Sequence, residues 1–444
     1  MWPEVVDRAL RTFEGRVADP KMVKRVVRLL EKLVDRGLDT GVVRQIQRLR
    51  LQQTVRYVYE HSPFYQEMFD SHGIRPGDIQ QPADLRALPF TTSDDIREWR
   101  RFLCVPEDDL SAVFTTAGST GEPKRVYFTW RELQMLTNLA AVGLRVGHPG
   151  RLWVLIALPI EHGLWIGTPT AIRTVERAGG LPIPVGTADP TQTLQWMGRF
   201  EPNVVMSSPS YMTTLTCEAE RQGYRIRLDQ ILLSGEMLSS NHRRYFHEYW
   251  GASIFDAYGT TEIGGAQAIA LPACTAFSLN DLCLVTEIVD PVTREAAGEG
   301  ELVFTTLARE GMPLIRYLSG DRARWADCRC WLPFRSIQLL GRMDDMIVAG
   351  DMNLFGRVIA SQIAQIPEAT GRVKLVLDKV ELRDRLRVQV EGTGVISEAI
   401  RQVLYDVYPE LPANIQIGNI ILEIETGVDL EDQIKGLKIV DQRA

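Results

Sequence analysis

Hydrophobic and polar positions follow three successive patterns along the chain. In the first sixty residues Val26, Leu29, Leu30 and Leu33 recur at i, i+3, i+4 and i+7 with Lys or Arg on the other face, which predicts a packed amphipathic helix. From Arg151 onward short apolar runs (Leu152–Leu158, Leu181–Val185, Val204–Ser207, Ile231–Leu233 and Ser253–Ala257) alternate with stretches long enough for a helix. That alternation predicts βαβ units and a mostly parallel sheet. Between Glu301 and Trp325 the runs shorten and are bounded by Gly and Pro, as in Glu301–Thr305, which predicts a smaller antiparallel β region. Beyond Asp344, Lys374–Leu377 and Leu386–Val390 read as strands and Ile396–Tyr405 as a helix. The expected fold is therefore α/β. A large domain (residues 1–343, with 1–50 a helical preamble) carries parallel or mixed sheets, helices and a small β region, and a small α+β domain follows over residues 344–444.

Composition narrows the function classes. The 444 residues are 45% hydrophobic and 24% charged, so a large core is available. A net charge of −7 argues against binding DNA or RNA, which needs a basic face to neutralise phosphates. Six cysteines are too few for a disulfide scaffold, and no signal-peptide succession opens the chain, so a cytoplasmic setting is expected. The longest apolar run, Leu152–Ile160, is of strand length, and no membrane span is expected.

The most informative stretch is Thr115-Thr116-Ala117-Gly118-Ser119-Thr120-Gly121-Glu122-Pro123-Lys124. Its two glycines let the backbone approach a ligand, its hydroxyls can donate to phosphoryl oxygens, and Lys124 adds positive charge. It is not a Walker A loop, which needs four residues between its glycines and a Lys directly after the second. On its own the segment reads equally as a Ser/Thr/Gly surface turn. Three later segments decide the matter: Asp256-Ala257-Tyr258-Gly259-Thr260-Thr261-Glu262, Tyr317-Leu318-Ser319-Gly320-Asp321 and Gly341-Arg342-Met343-Asp344-Asp345.

In this order the segments resemble the adenylate-forming superfamily of acyl- and aryl-CoA synthetases, luciferases and adenylation domains. Tyr57–Tyr65, Leu88–Thr92 and Glu301–Leu307 are similar to segments of its phenylacetate-CoA ligase branch, and the resemblance covers about residues 50–444. It implies a ligase that condenses ATP and a carboxylic acid, an aryl acid being favoured, to an acyl-adenylate and pyrophosphate, then passes the acyl group to a thiol. It further implies that the 115–124 loop (Thr115, Thr116, Gly118, Ser119, Thr120, Gly121, Lys124) holds the β,γ-phosphates. Thr261 meets the α-phosphate beside Thr260 and Gly259, and Glu262 binds Mg2+, a hard cation suited to carboxylate oxygen. Tyr258 stacks on adenine, with Asp256, Ala257 and the Ser234-Gly235-Glu236 segment along the nucleotide. Asp321 accepts from the ribose hydroxyls with Arg342 beside it. Lys435 is the expected catalytic lysine of the C-terminal domain, and Asp344 is the hinge about which that domain rotates. His162, Trp165, Ser208, Ile263 and Gly264 would line or edge the acid site.

Two further expectations follow. Cys274, Cys283, Cys328 and Cys330 are candidate ligands of a structural zinc ion, four reduced thiols being the other reading. CoA is the expected acceptor. Asp351, Gly356 and Ala360 stand where relatives usually carry Gly, Pro and Glu, so a carrier-protein phosphopantetheine or an amine is the alternative acceptor, and a retired nucleotide-binding protein is a lesser one. A monomer or homodimer is expected.

Overall fold

The computed structural model describes residues 4, 7–8, 11, 20–26, 40–115, 124–148, 150–160, 164–238, 240–307, 309–328, 330, 332–343, 346–349, 352–380, 383–392, 396–408, 411–416, 420–430 and 437–442. Of the helix expected around Val26–Leu33, residues 20–26 are described and helical. The chain divides into two compact units: Met1–Ser319 with Arg324–Gln338, and Gly320–Ala323 with Leu339–Ala444.

The first unit begins its continuous course with helices α1 (Thr40–His61) and α2 (Pro63–Ser71). Strands β1 (Leu110–Thr115) and β2 (Arg125–Thr129) pair antiparallel around the glycine-rich loop. Helix α3 (Trp130–Gly147) follows directly. Thr129 caps it, its hydroxyl accepting from the Glu132 amide at 3.2 Å while Glu132 accepts the Thr129 amide at 2.7 Å. Then β3 (Trp153–Ala157), α4 (Gly167–Arg177), β4 (Leu181–Pro184), α5 (Pro190–Phe200), β5 (Val204–Ser207), α6 (Pro209–Arg221), β6 (Gln230–Ser234) and α7 (Ser240–Trp250) alternate as expected. Pro190 and Pro209 sit in the first turns of α5 and α6, behind Asp189 and Ser208 as N-caps, which fixes where those helices begin.

Strands β7 (Ser253–Thr260), β8 (Gly265–Ala270), β9 (Phe277–Leu279), β10 (Leu284–Val289), β11 (Glu299–Thr306), β12 (Tyr317–Ala326) and β13 (Ser336–Arg342) complete one eleven-stranded sheet. Its order is β10-β11-β12-β13-β9-β8-β7-β6-β5-β3-β4. The antiparallel region expected after Glu301 is thus the continuation of the parallel sheet. The direction switches at the β7–β8 hairpin, antiparallel after four parallel pairings among β4, β3, β5, β6 and β7.

The parallel strands are apolar on both faces because helices cover both. Val154, Ile156, Val204 and Met206 pack with Ala141, Leu144 and Val175 on one side. Leu155, Ala157, Val205, Ile231 and Leu233 pack with Met212, Phe246 and Trp250 on the other. At the β4 edge, Pro182 and Pro184 alternate with Leu181 and Ile183, and the Leu181 amide donates inward to the Leu152 carbonyl at 2.8 Å. At the β10 edge the carbonyls of Leu284, Thr286 and Ile288 accept from the Gln47 side chain, the Arg335 guanidinium and the Ala297 amide.

In the second unit β14 (Met346–Ala349) and β15 (Met352–Phe355) form a hairpin, followed by α8 (Gly356–Ile363), β16 (Ala369–Val380), β17 (Arg383–Gly392), α9 (Ser397–Val407), α10 (Leu411–Gln416), β18 (Ile420–Thr426) and β19 (Leu437–Asp441). The four-stranded sheet has the order β18-β17-β16-β19. Val373, Leu375, Leu377, Leu386, Val388 and Val390 pack against Ile359, Ile363, Ile400 and Leu404. A Cβ at Gly356 would lie 2.6 Å from the Ile439 side chain and 3.2 Å from that of Leu375, so glycine lets α8 start flush on the sheet.

Candidate active site

Most of the sequence-selected residues of the first unit lie at or just beyond the carboxyl ends of its parallel strands, where ligands of open α/β sheets bind, and Lys124, just before β2, reaches them through Glu262. Ser207 ends β5 and is followed by Ser208, whose hydroxyl caps α6 by accepting the Tyr211 amide at 3.3 Å. Ser234 ends β6, and Gly235 follows with φ +87°, a left-handed turn that leaves Gly235 and Glu236 exposed. Asp256, Ala257, Tyr258, Gly259 and Thr260 form the end of β7, and Thr261 and Glu262 make the turn into β8. That hairpin is so tight that a Cβ on Gly259 would fall 1.8 Å from the Gly265 carbonyl oxygen.

Glu262 is the electrostatic centre. Its Oε1 accepts from Lys124 Nζ at 3.0 Å and from the Tyr317 hydroxyl at 2.8 Å, with Lys124 itself 3.4 Å from that hydroxyl. The carboxylate is buried, its side chain only 6% exposed. Burial alone would push its pKa up, but the Lys124 ammonium and the hydrogen bonds from Lys124, its own backbone and Tyr317 outweigh that, so it lies below the usual carboxylate range. An ionised carboxylate, a loop lysine and a phenol therefore meet at one point. Thr261 is buried beside them, and the buried Thr260 Oγ1 has no hydrogen-bond partner.

Asp256 behaves in the opposite way. Buried in β7, its carboxyl is pushed up to about 7 by desolvation, with Arg243 and the Ala257 amide opposing. Tyr258 packs edge-on to Phe277, ring centres 6.0 Å apart. Among the acid-pocket candidates, Trp165 is half-buried, its ring lying against Gly167 and 3.9 Å from where a Gly235 Cβ would stand. Ile263 is buried, and Gly264 has φ +91° with Leu136 3.0 Å from its Cβ direction. Thr115 ends β1, its amide donating to the Leu164 carbonyl at 2.9 Å.

In the second unit, Asp321 is buried and accepts from Arg342 Nη1 at 3.2 Å, and Gly320 at φ +74° leaves room for that guanidinium. Thr116, Gly118, Ser119, Thr120, Gly121, His162, Asp344, Asp351 and Lys435 lie outside the described residues.

Two neighbours of these residues carry no signal in the sequence. Tyr317 opens the Tyr317–Asp321 segment, and only the approach of β12 to the β7–β8 turn reveals its hydroxyl on Glu262. Leu136 carries no motif and shows only through its packing on Gly264. The zinc expectation fares differently. Cys274 and Cys328 place their sulfurs 2.8 Å apart, and Cys330 Sγ lies 3.3 Å from the Ser278 hydroxyl. Cys283 is buried at the start of β10, its carbonyl accepting the Leu307 amide. Among the described residues no group of three or more His, Cys, Asp or Glu is arranged to hold a metal ion.

A lysine and a buried carboxylate thus meet beside the strand ends of a mixed α/β sheet. Residues 47–306 match the family described as AMP-binding enzyme, and the chain belongs to that family of adenylate-forming acid–CoA ligases. It is 30% identical over 359 residues to a phenylacetate-coenzyme A ligase of Aromatoleum evansii, covering 79% of this chain and 81% of that one. A phenylacetate-coenzyme A ligase of Pseudomonas putida is 27% identical over 424 residues, covering 91% and 92%. In fold it is similar to a 2-hydroxyisobutyryl-CoA ligase in the postadenylation state, with TM-score 0.73 at 21% identity over 91% of this chain and 89% of that one. Among the described residues no helix is long and apolar enough to cross a membrane.

Proposed function

We propose that the chain condenses ATP with an aryl carboxylic acid to an aryl-adenylate and pyrophosphate, then transfers the acyl group to the thiol of CoA. The observation that carries this reading is the buried, ionised Glu262 facing Lys124 and Tyr317, with the unpartnered Thr260 hydroxyl beside it. Lys124 would meet the β,γ-phosphates, and Thr260 and Thr261 would donate to the α-phosphate. Glu262 would hold a magnesium ion, which when bound offsets the charge on the departing pyrophosphate. Tyr258 and the Ser234–Glu236 segment would flank adenine, Asp321 with Arg342 would take the ribose, and Trp165, Leu136 and Gly264 would bound the acid. The named relatives favour an arylacetic acid. Lys435, His162, the hinge at Asp344 and the division at residues 343/344 belong to the same proposal on the strength of the motifs, as does a cytoplasmic location. The test is ATP–pyrophosphate exchange without CoA across aryl, aminoaryl and short aliphatic acids, then thioester formation with CoA. Exchange with arylacetic acids and a CoA product are expected. Exchange without a CoA product would move the acceptor to a carrier protein or an amine, and no exchange with any acid would overturn the reading.

A further inference from the structure

Arg309 lies between β11 and β12, in a segment that the motif reading leaves without a role. Its side chain is only 3% exposed and its guanidinium donates in three directions. Nη1 reaches the Glu262 carbonyl at 2.8 Å, Nη2 the Tyr127 carbonyl at 2.6 Å, and Nε the Glu132 carboxylate at 3.0 Å. The Phe128 ring lies 4.2 Å from it. Tyr127 is on β2, three residues after Lys124. One planar group therefore fixes the backbone on both sides of the Lys124–Glu262 contact.

Glu132 completes the clasp. Besides capping α3, its Oε1 accepts the amides of Glu310 at 3.0 Å and Gly311 at 3.2 Å, which holds the Arg309 turn in place. At Gly311 a Cβ would lie 3.0 Å from Glu132 Oε2 and 3.2 Å from Thr129 Cγ2, so the turn closes onto the carboxylate with no room to spare. A buried ion pair is poor evidence of stabilisation, since apolar groups of the same volume often serve as well. A rigid fork whose donors end on the carbonyl of Glu262 itself and on β2, three residues after Lys124, instead sets a distance.

We infer that Arg309, held by Glu132, is a positioning residue that sets the spacing of Lys124 and Glu262 for the metal-bound triphosphate of ATP. This rests on the adenylation reading above. It predicts a selective defect: the triphosphate and its magnesium use Lys124 and Glu262, whereas AMP binds without the β,γ-phosphates they meet. The experiment is calorimetric titration of wild type, Arg309→Met and the Arg309→Met/Glu132→Gln double variant with Mg·ATP and, separately, with AMP. The double variant removes both buried charges, so it reports should the single one fail to fold. Expected is a loss of about tenfold to a hundredfold in Mg·ATP affinity, about what one hydrogen bond to a charged group contributes, with AMP affinity within about twofold, the spread of a site left intact. Equal weakening of both ligands, unchanged Mg·ATP affinity, or loss of the fold in both variants would overturn the inference by making the pair structural only. Failure of the wild type to bind ATP would instead overturn the adenylation reading itself.

Discussion

Replacing Asp256 by Asn should remove most of a pH dependence of stability that this one carboxyl imposes. In the folded chain its pKa is raised from 3.8 to about 7, first because burial at the end of β7 removes it from water. In the unfolded chain it ionises near its ordinary value. Between the two values the folded state binds more protons than the unfolded one, so the group's contribution to stability is greatest below pH 4 and is lost as pH rises through 7. The full span corresponds to about 4 kcal/mol, and the part that falls between pH 5 and pH 8 to about 2–3 kcal/mol. Asn has nearly the same shape, still accepts the Ala257 amide and does not titrate. Urea unfolding of wild type and Asp256→Asn, followed by tryptophan fluorescence at pH 5, 6, 7 and 8, isolates the term, because every other titrating group is common to both. The variant should gain on the wild type by about 2–3 kcal/mol on going from pH 5 to pH 8. Parallel curves would refute the reasoning and mean that Asp256 ionises normally, through water or through Arg243.

Tyr317→Phe removes a donor to the buried Glu262 carboxylate, so it should cost about 1 kcal/mol of stability and weaken Mg·ATP in calorimetry while leaving AMP binding intact. Gly259→Ala forces a methyl group to 1.8 Å from the Gly265 carbonyl oxygen. It should lower the thermal midpoint sharply or abolish folding, whereas Gly298→Ala, with nothing within 4 Å of its Cβ direction, should change the midpoint little. Cys330 and Cys328 should differ in reactivity. Burial raises both thiols, but the Ser278 hydroxyl and Cys328 bring Cys330 below the ordinary thiol value, while Cys328 is pushed up to about 12. Iodoacetamide at pH 7.5 followed by mass spectrometry should find Cys330 carboxamidomethylated well before Cys328.

The strands buried on both faces are the ones legible in the sequence. Val204–Ser207 was expected and is found over the same four residues, because nothing but an apolar run can lie between two helical layers. Elements with a wet face are less well bounded. Lys374–Leu377 extends in the structure to Ala369–Val380, and the added turns of the hairpin carry Asp378 bonded to Arg385 and Arg387, an ionic pattern with no apolar period. The site divides in the same way. Lys124 and Glu262 could be named because each sits in a contiguous motif. Their union with Tyr317 could not, since it depends on residues 55 apart in sequence, one in the β7–β8 turn and one on β12, meeting in space. Arg309 is more hidden still: its partners are two backbone carbonyls and a helix cap, and backbone acceptors leave no trace in residue identity.

The two borders of the eleven-stranded sheet bear on how copies of this chain can meet. Along β4 the amides that would face outward belong to Pro182 and Pro184, which have none, so an incoming strand finds acceptors but no donors. Along β10 the situation is inverted, since the carbonyls of Leu284, Thr286 and Ile288 are already occupied by Gln47, Arg335 and Ala297. Neither border can template a further strand with a full ladder, although the sheet is wide enough to invite one. Self-association of folded copies through this sheet would have to join surfaces by their side chains rather than by a shared backbone ladder.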